Sequence, residues 1–532
     1  MAIKISNIRL GLDEAEQCLP AQISKRLGVR SAELSRWRIL RKSLDARQHG
    51  EIAFVYTVEV ELPVDEARVV ELASDRAITL YRDESFQVPV PGERPLPHRP
   101  IVVGSGPAGL FAAWLLAKHG YEPLVLERGK AVRDRSRDVR AFEAGGPLDP
   151  ESNYLYGEGG AGTFSDGKLT CRSSGPDVRE VLRIIAECKG GPSIVYEHRP
   201  HLGSNKLPAV VKAIRHQAIA AGAEFRFGCG VTGLDIRDGQ VRGVLTAGGP
   251  IPAEVVVLAT GHSARDVYAM LESLGVAMEP KPFQMGVRIE QPQEQVNRVR
   301  YGRHANDARL GAADYEVVAP GPRDLFSFCM CAGGFVIPSV SEAGLYCSNG
   351  MSYSKHDSPF ANSGLVVTVD PGDFGPGLMA GVELQRSCER AAFEIGRGTY
   401  EAPIQWAHDF QAGRASRGSL PSSHRRGTVA TNLREWLPSA IVEALDVGLP
   451  TLDRRWRGWF LKNATLVGPE SRGSAPIRVL RDPQTYQSPS ASGLFPVGEG
   501  AGYAGGIVSA AVDGLRAAKA VMAEWGAGSR QS

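Results

Sequence analysis

Hydrophobic and polar positions divide the chain into stretches of different period. Lys4–Leu10 alternates as a strand does, and Asp13–Leu27 has helical spacing, with Pro20 as an internal boundary and Gly28 as its stop. Ala32–Leu40 fits either a further helix or the entry to a strand. Ile52–Leu62 alternates from Tyr56 onward, and Asp65–Leu72 is a short helix. Residues 1–88 therefore predict a small α+β module. Five prolines between Val88 and Pro100 then make a stiff connector, taken as a linker over 89–98.

Beyond the linker the pattern changes to short, wholly apolar runs followed by glycine. Ile101–Val103 suits a buried parallel strand, Pro107–His119 a helix and Pro123–Leu126 a second strand. Further on, helices are predicted over Val178–Cys188 and Leu207–Ala221, and a strand over Ala223–Phe227. Val231–Asp235, Val241–Thr246 and Ile251–Val255 fit a small meander or a crossover, and Glu254–Thr260 a buried strand. Between 276 and 485 strands are expected at Phe283–Ile289 and Leu365–Val369, and helices at Leu378–Gly396 and Leu433–Leu445. A strand at Leu494–Val497 and a helix at Ile507–Ala523 close the chain.

The first strand–helix–strand unit carries a phosphate-binding signature. Gly104 permits the tight turn, Gly106 lets the backbone approach a pyrophosphate, and Gly109 allows the helix to pack on the sheet. Pro107 and Ala108 open the helix, whose N-terminal N–H groups attract a phosphate. Glu127, followed by Arg128, stands where a carboxylate meets a ribose hydroxyl, which suits FAD or NAD and disfavours a 2′-phosphate. The closing stretch GLFPVGEGAGYAGGI resembles the C-terminal element of two-dinucleotide-binding-domain flavoproteins, in which a strand ends in Gly-Asp or Gly-Glu, here Gly498-Glu499. The resemblance implies that Glu499 hydrogen-bonds the ribityl or pyrophosphate part of FAD, and that the helix opened by Gly505, Gly506 and Ile507 points at the flavin edge where negative charge develops on reduction. An enzyme using NAD alone needs no such element.

GSGPAGL, YGEGGAGTFSDGKL, VVLATGHSARD, FCMCAGG and GEGAGYAGGI, in this order, resemble the pattern of the bacterial FAD-dependent dehydrogenases, also called NAD(P)/FAD-dependent oxidoreductases. The resemblance runs from Arg99 to the C-terminus and includes the N-terminal module. It implies FAD and the glutathione-reductase type of flavin-binding fold, without fixing a reaction. The expected fold is α/β: a Rossmann-like, three-layer FAD-binding domain in two parts (99–275 and 486–532), with an α+β cap for substrate at 276–485 inserted between them. By analogy with that fold, the glycine loop with Gly160, Gly162, Thr163 and Ser165 contacts the flavin. Val231 clamps the adenine, and Thr260-Gly261 closes over the pyrophosphate.

Composition narrows the function classes. The 532 residues have a net charge of +2 and are 43% hydrophobic, which gives no general attraction to nucleic acid or membrane. No apolar run reaches the length of a transmembrane helix, and the N-terminus lacks a signal-peptide core. Eight scattered cysteines show no disulfide framework, so a cytoplasmic setting is expected. Arg36, Arg38, Arg41, Lys42 and Arg47 could touch RNA, although a solvated face explains them as well.

Two residues are candidates for chemistry. Lys168 could set a cation near the flavin or near an anionic substrate, and Arg472 could grip a carboxylate or phosphate, an ordinary salt bridge being the alternative. Cys329-Met330-Cys331 has neither a zinc set nor the C-x-x-C spacing, so the pair is expected to be buried and structural; no metal is expected. The reading is an FAD-dependent oxidoreductase passing hydride through flavin N5, acting on a small molecule, with any reduced nicotinamide docking transiently. The alternatives are an ene reductase of the geranylgeranyl-reductase kind, a flavin monooxygenase, and an RNA-associated flavoprotein.

Overall fold

A computed structural model describes residues 2–47 and 51–527. At its centre lies a five-stranded parallel sheet in the order 494–496, 256–258, 101–103, 124–126 and 224–226. Each of its four inner and first strands is three residues long and fully buried, which is why the sequence shows apolar runs and no alternation. From the central strand Ile101–Val103 the chain crosses to one side at 124–126 and later returns on the other at 256–258. A crevice therefore opens beyond the carboxyl ends of these strands.

The helix Pro107–Lys118 is apolar nearly all round, and every residue from Ala108 to Ala117 is buried. Such a helix must be covered on all sides. One side lies on the sheet, where a Cβ at Gly109 would come 1.9 Å from the Gly104 carbonyl oxygen. Another meets the C-terminal helix Ile507–Glu524, where a Cβ at Gly514 would come 2.0 Å from the Ala108 carbonyl oxygen. The two glycines let three backbones approach closely and so fix both helix N-termini over the crevice.

A seven-stranded sheet forms the second body, in the order 318–319, 325–331, 360–369, 283–292, 465–470, 402–406 and 428–430. The pairing of Phe283–Pro292 with Phe360–Val369 runs antiparallel along ten residues of each strand. Both strands are buried almost throughout, under the helix Ser439–Arg455 on one face. The strand Leu325–Cys331 carries a bulge. Between Phe328 and Cys331 it has one residue more than its partner has between Gly364 and Asn362, and Cys329 takes a φ of +45° there.

The N-terminal module is a four-stranded antiparallel sheet, 36–45, 53–61, 2–11 and 78–81, with helices Leu19–Leu27 and Glu66–Ala73 on it. Ala32–Leu40 resolves into a single turn at Ser31–Glu33 followed by strand. That strand docks on the main body, where Lys42 N–H donates to the Tyr196 carbonyl and His198 N–H to the Lys42 carbonyl. The basic side chains are paired: Arg36 with Glu61, Arg38 with Glu59 and Asp83, Lys42 with Glu16, Arg47 with Asp45, and Arg41 with the His198 ring. Among the described residues, no helix is long and apolar enough to cross a membrane.

Candidate active site

One cleft of 2170 Å³ runs across the carboxyl ends of the parallel strands and on to the second sheet. A pocket for a drug-sized ligand measures roughly 300–1,000 Å³, so the space exceeds what one small molecule fills. Two helix N-termini open on it. Their N-caps, Gly106 and Gly506, carry no side-chain cap, which leaves the first-turn N–H groups free for a ligand anion. Around them the cleft is walled by backbone. A Cβ at Gly106 would come only to within 3.8 Å of Gly160 Cα, and Gly261 and Gly505 face open space. This cradle of glycines at paired helix ends fits a dinucleotide pyrophosphate.

Gly104, Gly106, Pro107, Ala108, Glu127, Arg128, Gly160, Gly162, Ser165, Val231, Thr260, Gly261, Gly498, Glu499, Gly505, Gly506 and Ile507 all line this cleft, as do Lys168 and Arg472. Gly109 does not: it is consumed by packing against Gly104. Thr163 does not either; it is buried, and its hydroxyl turns inward to donate to the Glu158 carbonyl at 3.2 Å. Glu127 lines the cleft but is engaged from within. It accepts from Ser105 N–H and Oγ, Gly129 N–H and Gly157 N–H at 2.7–3.1 Å, and so braces the phosphate turn and the glycine loop together.

Arg135, on the helix Val132–Glu143, organises that loop. Its buried guanidinium donates to the carbonyls of Asn153, Tyr154, Gly157, Glu158 and Gly160. Burial pulls it down to about 10, against the Glu127 and Glu158 charges. Asp513 does the same at the other end: it accepts Gly498 N–H at 2.7 Å and a two-pronged bond from Arg481. Both act through backbone contacts that leave no local sequence motif.

Arg472 forms the salt bridge that the sequence leaves open as the alternative to a substrate anchor. Its Nε and one terminal nitrogen bind the two Glu389 oxygens at 3.0 and 2.8 Å, and the other binds Ser341 Oγ at 2.9 Å. Glu389 also takes two bonds from Arg265 and one from Ser471, and is itself fully buried. Burial opposes the Glu389 charge, yet Arg472 and Arg265 hold its carboxyl well below the usual range. His262 sits beside this cluster and is held neutral, its ring down at about 3 through burial and the two arginines.

Lys168 remains a free-facing cation. Its side chain is 31% exposed toward the cleft, and Nζ lies 3.5 Å from Asp166 Oδ2. That oxygen is buried and has no hydrogen bond of its own. The other Asp166 oxygen accepts from Ser352 Oγ and lies 3.3 Å from His201 Nε2. His201 Nδ1 meets His356 Nε2 at 2.7 Å, and His356 Nδ1 donates to the Ala332 carbonyl. Burial disfavours both charges of the Lys168–Asp166 pair, yet each holds the other: the lysine is raised, and the aspartate is depressed with help from His201 and Ser352. Asp166, His201 and His356 come within 4.8 Å of one another, as metal ligands do. Asp166 and His356 address opposite nitrogens of the His201 ring.

Cys329 corrects another expectation. It lines the cleft and is partly exposed, while Cys331 is buried behind it. The hydrogen bond from Cys331, and then the Lys168 and Arg288 charges, hold the Cys329 thiol down at about 6 although burial works the other way. Glu499, across the cleft, is pushed up to about 7 by burial, against the pull of Lys281.

Comparison with known proteins agrees with this geometry. Residues 282–473 match the model "FAD-dependent protein, C-terminal domain-like", 203–324 "FAD dependent oxidoreductase" and 102–157 "NAD(P)-binding Rossmann-like domain"; 2–61 match a domain of unknown function. A protein of Clostridium beijerinckii is 41% identical over 98% of this chain and 99% of its own length. Protein FixC of Escherichia coli is 28% identical over 46% of this chain, a match that spans 54% of FixC. The geranylgeranyl bacteriochlorophyll reductase-like structure from Thermoplasma acidophilum aligns over 80% of this chain and 77% of its own, at 14% identity and a TM-score of 0.34.

Proposed function

The chain belongs to the FAD-dependent oxidoreductase family, together with its full-length Clostridium beijerinckii relative, and from that premise we propose how its cleft works. Glu127, Arg128 and Val231 would hold the adenosine of FAD, the N-terminus of Pro107–Lys118 its pyrophosphate, and the Gly160–Lys168 loop with the N-terminus of Ile507–Glu524 its ring. When bound, FAD supplies the acceptor and donor of hydride at N5.

The chain's own residues set the charge around that ring. Lys168 keeps its proton at neutral pH and acts as a fixed cation, aimed by Asp166, which Ser352 and His201 hold in turn. The helix N-terminus at Ile507 adds a second positive pole. Together they favour the negative charge that builds up on two-electron reduction, and they attract a small anionic substrate into the space left beside the ring. Phe326, Phe328 and Val317 give that space an apolar wall. The free-facing Lys168 cation on a buried carboxylate is the observation that carries the reading. A reduced nicotinamide, where one is used, docks in the same open cleft.

The test is the midpoint potential of the bound FAD. One fixed charge in a partly solvated cleft is worth about 1–2 kcal/mol, so Lys168→Met lowers a two-electron potential by about 20–40 mV. An unchanged potential in a variant that still binds FAD refutes the assignment.

A further inference from the structure

Cys329 and Cys331 sit where the cleft meets the second sheet, and three features of the fold bear on them. The bulge after Phe328 inserts one extra residue, with Cys329 itself held in the left-handed region at φ +45°. A residue other than glycine is rarely kept there without a local reason. The Cys331 thiol of this C-x-C segment donates to the Cys329 carbonyl at 3.3 Å, which holds the segment folded back on itself. The following Gly333-Gly334 turn closes tightly on the pair: a Cβ on Gly334 would come 2.9 Å from Cys331 Cβ, and one on Gly333 2.0 Å from the His356 carbonyl. Arg288, fully buried, donates to the Cys329 carbonyl at 3.2 Å and anchors the bulge to Asn362, Asn349 and Glu470.

The pair is also asymmetric in access. Cys329 faces the cleft on the side of Lys168, whereas Cys331 is buried. Cys188, Cys347 and Cys388 are buried too, and burial pushes each of their thiols upward. A thiol near cations is the reactive kind, and a second thiol in contact with it can close a disulfide.

We propose that Cys329 and Cys331 form a second redox centre, a dithiol–disulfide pair that exchanges two electrons with the FAD. The inference rests on the reading above, which puts the flavin ring beside Lys168. In the oxidising direction the Cys329 thiolate and the Cys331 thiol give up two electrons and the Cys331 proton as the S–S bond forms and the Cys331 S–H bond breaks. FAD, when bound, would be the acceptor of both electrons and that proton, so charge and atoms balance. In reverse, reduced FAD returns them and reopens the pair. Cys329 is the member that a small disulfide or thiol entering the cleft would meet, and Cys331 the one that resolves the exchange.

Anaerobic reductive titration of the holoenzyme with dithionite tests this. Wild type takes up about four electrons per FAD before reduction is complete, and Cys329→Ser and Cys331→Ser about two. A thiol map of wild type gives a second reading that needs no variant to fold. In air-oxidised holoenzyme, alkylation under denaturing conditions leaves two of the eight cysteines unlabelled, both in the peptide carrying 329 and 331, and reduction restores them. A wild type that consumes about two electrons with all eight thiols labelled overturns the pair while leaving the FAD reading intact. A protein that holds no FAD overturns both.

Discussion

Glu389→Gln is the sharpest test of how the cleft is braced. The glutamate has no exposed surface, and its two oxygens accept five hydrogen bonds, two from Arg265, two from Arg472 and one from Ser471. Glutamine keeps the shape but removes the charge and turns an amide N–H₂ toward guanidinium donors. Glu342, at 3.0 Å from Arg265 and 3.9 Å from Arg472, is the carboxylate left nearby. Breaking a buried pair on one side costs about 3–5 kcal/mol, because the other charge stays buried and unpaired. A chain of this size does not unfold in one step. The assay is therefore hydrogen exchange of the helix Ala380–Ile395, which carries Glu389. At about 1.4 kcal/mol per decade, its buried amides exchange roughly two to three and a half orders of magnitude faster in the variant. The pH dependence follows from the depressed Glu389 carboxyl. Its stabilisation is complete above the unfolded value near 4.3 and is lost as pH falls toward the lower folded value, so wild type loses protection in acid while the variant changes little there. Exchange within about threefold of wild type at neutral pH refutes the reasoning, since a factor of three is worth well under 1 kcal/mol.

Three further outcomes are expected. Gly106→Val has an ordinary φ of −67° and room for its Cβ, so the apoprotein keeps its stability but purifies without flavin, whereas Gly109→Val clashes with the Gly104 carbonyl and lowers the apoprotein's melting temperature; flavin-bearing Gly106→Val contradicts the pyrophosphate placement. Glu499 is neutral below about 7 and ionised above it, so FAD dissociates faster as pH rises through 7, and Glu499→Gln flattens that profile in a fluorescence-release assay. Because folding raises the Glu499 value above the unfolded 4.3, the same group makes the apoprotein less stable as pH climbs from about 4 to 7, an effect absent from the variant on thermal melts.

What the sequence displayed and what it concealed differ in physical kind. The parallel strands, the phosphate turn and the terminal Gly-Glu element were legible because each depends on a short apolar run and on glycines where a ligand or a helix approaches closely. The Arg135 clamp was not, because five backbone carbonyls from 153 to 160 converge on a residue whose local context is an ordinary charged helix. The two readings of Arg472 stayed open for the same reason: Glu389, its partner, lies 83 positions away. Thr163 misled because it sits among the glycines that line the cleft, yet its side chain faces the protein. Cys329 and Cys331 read as structural because spacing alone does not show a bulge, and it is the bulge at 328–331 that turns one thiol to the cleft.

The central claim is that this cleft holds FAD as a redox cofactor. Protein expressed with ample flavin is purified, its cofactor content measured after denaturation, and its spectrum followed through anaerobic addition of NADH, NADPH and then dithionite. The account predicts about one FAD per chain, bleached on reduction and restored by air. A colourless chain that takes up no added FAD, or a bound flavin that none of these reductants bleaches, contradicts it.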